Sequence, residues 1–207
     1  MHTEVMALPQ RRALKMLGPL SSRHGFVLAG GTAVALHLGH RRSVDLDWFT
    51  DRPFPDPLAF AALLRADGIP FETQELSTGT LHGEAARVKV SYFEFRYPML
   101  EPPLQWPGGK CSLASLADLA AMKLAALAQR GARKDFTDVY ALAREYRPLP
   151  ELIGLYQRKF NVKDPGHLLF ALAYFDDADG EPTPAMLWPV RWGEIKKSLR
   201  AALKSLA

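Results

Sequence analysis

Two hydrophobic periods run through this chain, and each predicts a different kind of element. Ala13, Leu14, Met16, Leu17 and Leu20 recur close to every 3.6 residues, which predicts a first helix over 9–23. The apolar run 26–29 predicts a short strand that ends at Gly30-Gly31, and 32–38 predicts a short helix stopped by Gly39. Val44, Leu46 and Trp48 alternate with Ser43, Asp45 and Asp47, so 43–49 is expected to be the clearest strand. A loop with Pro53, Pro55 and Pro57 then leads to a helix over 58–66. Strands are expected over 69–76 and 84–97, with Gly79 and Gly83 marking the turns between them.

The texture changes at Tyr97. Pro98, Pro102, Pro103, Pro107, Gly108 and Gly109 form a linker-like stretch. Beyond it the pattern predicts only helices, over 115–129, 134–145, 150–160, 164–175 and 192–206. The expected organisation is α+β, with an α/β part over 1–110 and a helical bundle over 111–207. Asp176, Asp177, Asp179 and Gly180 do not continue into the liganding pattern of a calcium loop, so a solvated turn is expected there.

Composition narrows the class. Of the 207 residues, 48% are apolar and 23% charged, which excludes wholesale disorder and collagen-like structure. The single cysteine, Cys111, cannot form an internal disulfide and fits a reducing compartment. Residues 1–12 lack the apolar run of a signal peptide, and no later stretch offers ~20 uncharged apolar residues, so a cytoplasmic protein with no membrane span is expected. A net charge of +4 permits a polyanionic partner without requiring one.

The chemistry is concentrated where the first strand meets its helix. Gly30-Gly31-Thr32 is followed by twelve residues and then Asp45-Leu46-Asp47. A strand that breaks at two glycines and opens a helix presents backbone N–H groups at the positive end of the helix dipole. Glycine lets a phosphate approach closely there, and the Thr32 hydroxyl could add a donor. Strand periodicity would place Asp45 and Asp47 on one face, about 6.6–7 Å apart along the backbone. Two carboxylates aimed at one point repel unless a cation sits between them, and hard Mg²⁺ with its oxygen ligands suits that place. Phosphates on a helix terminus beside carboxylate-bound metal are the equipment of phosphoryl or nucleotidyl transfer. Taken singly, a Gly-Gly after a strand is usually a tight turn, and an exposed D-x-D is usually solvated. Neither the dinucleotide G-x-G-x-x-G pattern nor a P-loop Gly-Lys-Ser/Thr occurs here.

Gly30-Gly31-Thr32 with Arg41-Arg42-Ser43-Val44-Asp45-Leu46-Asp47 resembles the signature of the DNA polymerase β-like nucleotidyltransferase superfamily. It resembles more specifically the AbiEii/AbiGii toxin family of type IV abortive-infection toxin–antitoxin systems. A second block, Lys123-Leu-Ala-Ala with Arg130-Gly-Ala-Arg-Lys134-Asp135-Phe-Thr-Asp138, matches the same family, and together the blocks cover 26–142. The resemblance implies a nucleotidyltransferase-like small mixed β-sheet with flanking helices, followed by a helical bundle closing the nucleotide cleft. It implies transfer of a nucleotide from an NTP to a hydroxyl acceptor with release of pyrophosphate, with tRNA as a candidate acceptor and a cognate antitoxin as partner. In that scheme Asp45 and Asp47 hold Mg²⁺, Gly30, Gly31 and Thr32 cradle phosphates, and Lys123 and Lys134 contribute to nucleotide binding; Arg42, next to the acidic strand, would neutralise phosphate charge. Asp135 and Asp138 are weaker candidates for a base or a metal-positioning role.

The second block also has ordinary explanations. Lys123 is the only charge in the apolar stretch 119–128, so it either snorkels to water or meets an anion. Asp135 and Asp138 border the apolar face of Phe136, Val139, Tyr140 and Ala143; they suit a helix N-terminus, with Lys134 as an alternative partner for Asp138. Arg41 and Arg42 suit an exposed basic turn. Lys196, Lys197, Arg200 and Lys204 suit the wet face of an amphipathic last helix or, with an RNA acceptor, a backbone-contact surface.

One departure stands out. Superfamily members usually take a third carboxylate from a neighbouring strand, and Ser91 occupies that place here, with Glu94 three residues on and of opposite parity. Either a bulge brings Glu94 round, or two carboxylates suffice, or the site binds nucleotide and turns over poorly. Two other functions therefore stay open: a catalytically weak nucleotide-binding module, and a small-molecule nucleotidyltransferase of the antibiotic-modifying kind.

Overall fold

The computed structural model describes residues 1–206. The chain divides into two compact units, a sheet unit of Met6–Ala33 with Ser43–Ser115, and a helical unit of Met1–Val5, Val34–Arg42 and the chain from Leu116 onward.

The sheet unit is built on seven strands: β1 (Val27–Leu28), β2 (Leu46–Thr50), β3 (Phe71–Ser77), β4 (Thr80–Ala85), β5 (Val88–Glu94), β6 (Leu104–Trp106) and β7 (Cys111–Leu113). Their order is β3-β4-β5-β2-β1-β7-β6, with β2–β5 and β1–β7 parallel and the other neighbours antiparallel. Helices α1 (Leu8–Arg23) and α3 (Pro57–Ala66) pack on the sheet. The apolar side of the strands, including Trp48, Leu81, Val90 and Tyr92, is buried. The Tyr92 ring lies 4.9 Å from Phe60 and 5.0 Å from Phe26, while its hydroxyl meets Ser21 Oγ at 2.9 Å.

Three strand expectations are corrected. The 43–49 strand begins at Leu46, because Val44 is 71% exposed and Ser43 to Asp45 pair with no neighbouring strand. The single strand expected over 84–97 is broken by a hairpin turn at Ala86 and Arg87, with φ of 51° and 65°, which joins the end of β4 to β5, and β5 stops at Glu94. Such turns favour Asn-Gly, and Ala-Arg gives no warning of one. The linker-like stretch is also structured. It forms the β6–β7 hairpin, so strands continue to Leu113.

In the helical unit, α4 (Leu116–Arg130) packs against α5 (Arg133–Glu145), α6 (Leu149–Phe160) and α7 (Gly166–Ala173), and α9 (Trp192–Lys204) lies on α5, α6 and α7. The expected turn at 176–179 is a short helix, α8 (Asp176–Asp179). Asp179 accepts from Trp192 Nε1 and from Lys196 at 2.8 Å, so this acidic turn fastens the last helix. Among the described residues no helix is long and apolar enough to cross a membrane.

Between α4 and α6, Lys159 Nζ lies 2.7 Å from Asp118 Oδ1, and both side chains are wholly excluded from water. Removing one partner of such a pair strands a buried charge, whereas replacing both with apolar groups is tolerated. Lys159→Met is therefore expected to lower the unfolding free energy by about 3–5 kcal/mol in urea titrations. Asp118→Leu with Lys159→Met should recover most of that loss. A single-variant cost under about 1 kcal/mol would show that water reaches the pair.

Candidate active site

The geometry of the sheet unit begins with a backbone constraint. Helix α2 (Gly30–Leu38) opens directly from β1, and its first residue, Gly30, has φ of +63°. A Cβ at Gly30 would lie 2.4 Å from Asp47 Oδ2 and 3.0 Å from Asp47 Cβ. Only glycine allows the β2 carboxylate to rest against the helix start in this way. The antiparallel β1–β2 pairing enforces the approach, since the Ala29 N–H donates to the Asp47 carbonyl at 2.8 Å. The opening N–H groups of α2, which have no partner within their own helix, belong to this same corner.

Thr32 has a different part from the expected one. Its side chain is buried, and its hydroxyl donates to the Asp45 carbonyl and lies 2.8 Å from Ser43 Oγ. Gln10 donates at 3.2 Å both to that hydroxyl and to the Asp45 carbonyl. These bonds fix the segment entering β2, so the Thr32 hydroxyl is occupied in holding Asp45 in place. Asp45 and Asp47 are both half-buried.

The parallel β2–β5 register sets Asp47 opposite Ser91 and Thr50 opposite Glu94, with no irregularity between them. Glu94 is not brought round by a bulge. Its carboxylate accepts the Phe54 N–H at 2.6 Å and pairs with Arg96, and these bonds hold it below the usual carboxylate range. It braces the loop after β2. One strand further on, His82 stands opposite Ser91, and its Nδ1 lies 2.9 Å from Ser91 Oγ. Asp47, Ser91 and His82 thus form one row on the polar face. His82 lies in β4, a strand that the glycines at 79 and 83 disguise as a turn. Among the described residues no group of three or more His, Cys, Asp or Glu side chains is arranged for a metal.

The helical unit gathers the second block. Asp138 is fully buried, accepts from Arg41 Nε at 2.6 Å and Nη2 at 2.8 Å, lies 2.8 Å from His40 Nε2, and pairs with Lys123 at 2.7 Å. Asp135 pairs with Lys123 at 3.1 Å and takes two bonds from Arg130, at 2.6 and 2.9 Å. Burial pushes the Asp138 carboxyl up, but the charges of Arg41 and Lys123 and the bonds from His40 and Arg41 hold it well below its usual range. Asp135 behaves likewise: burial raises it, and Arg130 and Lys123 bring it below the ordinary value.

Lys123 therefore meets its anions inside the protein rather than snorkelling. Arg41 is buried on Asp138 rather than lying in an exposed turn, while Arg42 is exposed. Lys134 is exposed too, and Asp138 takes Lys123 and Arg41 as partners in its stead. Three cations, Arg41, Lys123 and Arg130, face the two carboxylates. The sequence reading also passed over Arg133, which is buried and donates to the carbonyls of Ala178 and Asp179 and to Thr183.

Comparison with known proteins places the chain in a family and shows which solved folds it is similar to. The family described as nucleotidyl transferase AbiEii toxin, type IV TA system, matches residues 12–205. Uncharacterized protein aq_aa25 of Aquifex aeolicus is 36% identical over 180 residues, covering 83% of this chain and 84% of that one. Among solved structures, MenT4, the nucleotidyltransferase toxin Rv2826c from Mycobacterium tuberculosis, is similar with a TM-score of 0.58 at 19% identity, over 95% of this chain and 83% of that one. The Megavirus polyadenylate synthase is similar with a TM-score of 0.50 at 15% identity; the match covers 68% of this chain but only 32% of the synthase. With the family match spanning nearly the whole sequence, and the fold shared with a nucleotidyltransferase toxin, the chain belongs to the AbiEii nucleotidyl transferase toxin family of type IV toxin–antitoxin systems.

Proposed function

We propose that this protein transfers a nucleotide from an NTP to a hydroxyl acceptor, with the chemistry centred on Asp45, Asp47 and the Gly30-Gly31 turn. The observation that carries the reading is the Asp47 carboxylate resting against the Cα of Gly30 at the start of α2. It puts a carboxylate ligand at an anion-binding helix terminus with a second carboxylate, Asp45, two residues away, and a cation relieves the repulsion between the two acids. The donor set fits a hard divalent ion such as Mg²⁺, which is commonly held by one or two carboxylates together with substrate phosphates and water. Asp45 and Asp47 would hold it, and when bound it supplies Lewis-acid polarisation of phosphate oxygens and activation of the attacking oxygen.

The chain's own residues do the rest. The N–H groups of Gly30, Gly31 and Thr32 receive phosphate oxygens, and the Thr32–Asp45 bond keeps β2 in register with the helix start. The acceptor oxygen bonds to the α-phosphorus, the bond from that phosphorus to the bridging oxygen breaks, and pyrophosphate leaves with the electron pair. Asp135 and Asp138, each engaged by at least two donors, are poor bases; they anchor Lys123, Arg41 and Arg130. A type IV antitoxin is the partner that family membership suggests, and tRNA is one acceptor to test. Ser91 in the row of Asp47 favours a second reading, nucleotide binding with weak turnover.

Labelled NTPs, Mg²⁺ and total tRNA discriminate these readings. Label on RNA supports the toxin-type transferase, label on a small hydroxyl compound supports the antibiotic-modifying type, and NTP binding with no transfer supports the weak module. Asp45→Asn with Asp47→Asn should lower transfer by at least ~10³-fold, because several kcal/mol of charge stabilisation is lost. Thermal stability should stay within about 1 kcal/mol, and an unfolded double variant would reassign the acids to a structural role. Gly30→Ala forces a side chain into a left-handed backbone and onto Asp47, and should cost about 1–2 kcal/mol while also suppressing transfer.

The acid side of the stability profile reports on the second block. The lowered carboxyls of Asp135 and Asp138 stabilise the fold above the unfolded carboxylate pKa of about 3.9, and that contribution fades as pH falls through their folded values. Melting temperature should be insensitive to these groups above about pH 5 and drop below about pH 4. Asp135→Asn should lower stability at pH 7 and flatten the acid limb. An unchanged acid limb would mean that Asp135 is not ion-paired in solution.

A further inference from the structure

We propose that Ser91 and His82 together replace the third carboxylate, seating the attacking sugar hydroxyl and taking its proton. The inference rests on the nucleotidyltransferase reading and names a part of its machinery that neither Asp45 nor Asp47 supplies. Three observations carry it. First, Ser91 is the direct β5 partner of Asp47, and His82 is the direct β4 partner of Ser91, so the three side chains share a face in one unbroken row. Neighbouring strands lie about 4.8 Å apart, which places a substrate oxygen near Asp47 within reach of Ser91 but not directly of His82. Second, the imidazole is held in place: Nδ1 lies 2.9 Å from Ser91 Oγ, and the ring meets Phe93 edge-on at 5.3 Å. Third, Ser91 and His82 line a mostly polar recess of about 330 Å³ together with Gln74, Glu75, Gly83, Lys89 and Val90.

That lining defines the ligand chemistry. It carries carboxylate, amide and hydroxyl groups for sugar hydroxyls and one ammonium for a phosphate. No Phe, Tyr or Trp is among these residues, and the His82 ring is already engaged by Ser91 and Phe93. A ribose terminus with an adjacent phosphate, as at the end of an RNA, suits it.

With the imidazole proton on Nε2, Nδ1 accepts from Ser91 and leaves the Ser91 lone pairs for the incoming hydroxyl. As the acceptor oxygen bonds to the α-phosphorus and pyrophosphate departs, the acceptor's proton moves to Ser91 Oγ. Ser91 passes its own proton to His82 Nδ1, and the imidazolium later releases one to solvent through the recess. A serine alone could not do this, because its hydroxyl lacks the basicity to keep a proton. The histidine completes the base.

The test uses the full-length protein, labelled NTPs, Mg²⁺ and total RNA. His82→Gln and Ser91→Ala should each lower kcat about 100-fold or more, with the dissociation constant for NTP unchanged within twofold and the melting temperature preserved. Ser91→Asp restores a carboxylate at the third position, so adding it to His82→Gln should return kcat to within about tenfold of wild type. A merely structural role for His82 would not be rescued in this way. Wild-type kcat in His82→Gln, or no recovery on adding Ser91→Asp, overturns the inference. If Asp47→Asn abolishes transfer while His82→Gln leaves it intact, the transferase reading stands and the Ser91–His82 relay falls. If the wild type shows no transfer that depends on Asp47, the transferase reading falls and the relay with it.

Discussion

The site in the sheet unit depends on one close approach, the Asp47 carboxylate lying where a Cβ of residue 30 would be. Its consequences spread through the neighbouring elements. Residue 30 must be glycine and must adopt a positive φ, which turns β1 sharply into α2. Strand β2 must pair with β1 in the register that brings Asp47 to that turn, and the Ala29–Asp47 bond sets it. Gln10 and Thr32 hold the segment just before β2 from within the unit, spending buried polar groups on backbone geometry. A carboxylate fixed against a helix start is stabilised by the helix dipole, and a second one two residues away adds a repulsion that a cation relieves.

The helical unit solves a different electrostatic problem. Asp118 with Lys159, and Asp135 and Asp138 with their cations, put many charges beyond the reach of water. Such groups are tolerable only when nearly every polar atom has a partner, and the bidentate Arg41 fork on Asp138 meets that demand. Depressed carboxyl pKa values follow from the same contacts, and so does the unsuitability of these acids as proton acceptors. A short run of chain serves both ends: Arg41 closes the ion cluster while the His40 carbonyl accepts the N–H groups of Leu187 and Trp188.

Much of this was legible in the residues. The Gly30-Gly31 break, the alternation around Leu46 and Trp48, and the long apolar helix carrying Lys123 all announced themselves through period and residue type. Hidden features share a physical cause: they are set by non-local pairing. Ala86 and Arg87 adopt left-handed conformations that their side chains do not favour, so the hairpin they join was invisible, and His82 with it. Strands β6 and β7 are three residues each within a Pro/Gly-rich stretch, too short for a period to show. Lys134 looked like a partner of Asp138 because it was near in sequence, but 3.6-residue geometry turns it to solvent while Asp138 turns inward. The occupied hydroxyl of Thr32 depends on Gln10 and Ser43, residues that no motif connects to it.

The most direct test of the central claim is a crystal structure of the wild-type protein with Mg²⁺ and an NTP analogue that cannot be cleaved at the α–β linkage. The account predicts electron density for a metal ion bound by both Asp45 and Asp47, with phosphate oxygens on the N–H groups of Gly30 and Gly31. Nucleotide bound elsewhere, or phosphates seated with neither carboxylate on the metal, would contradict it.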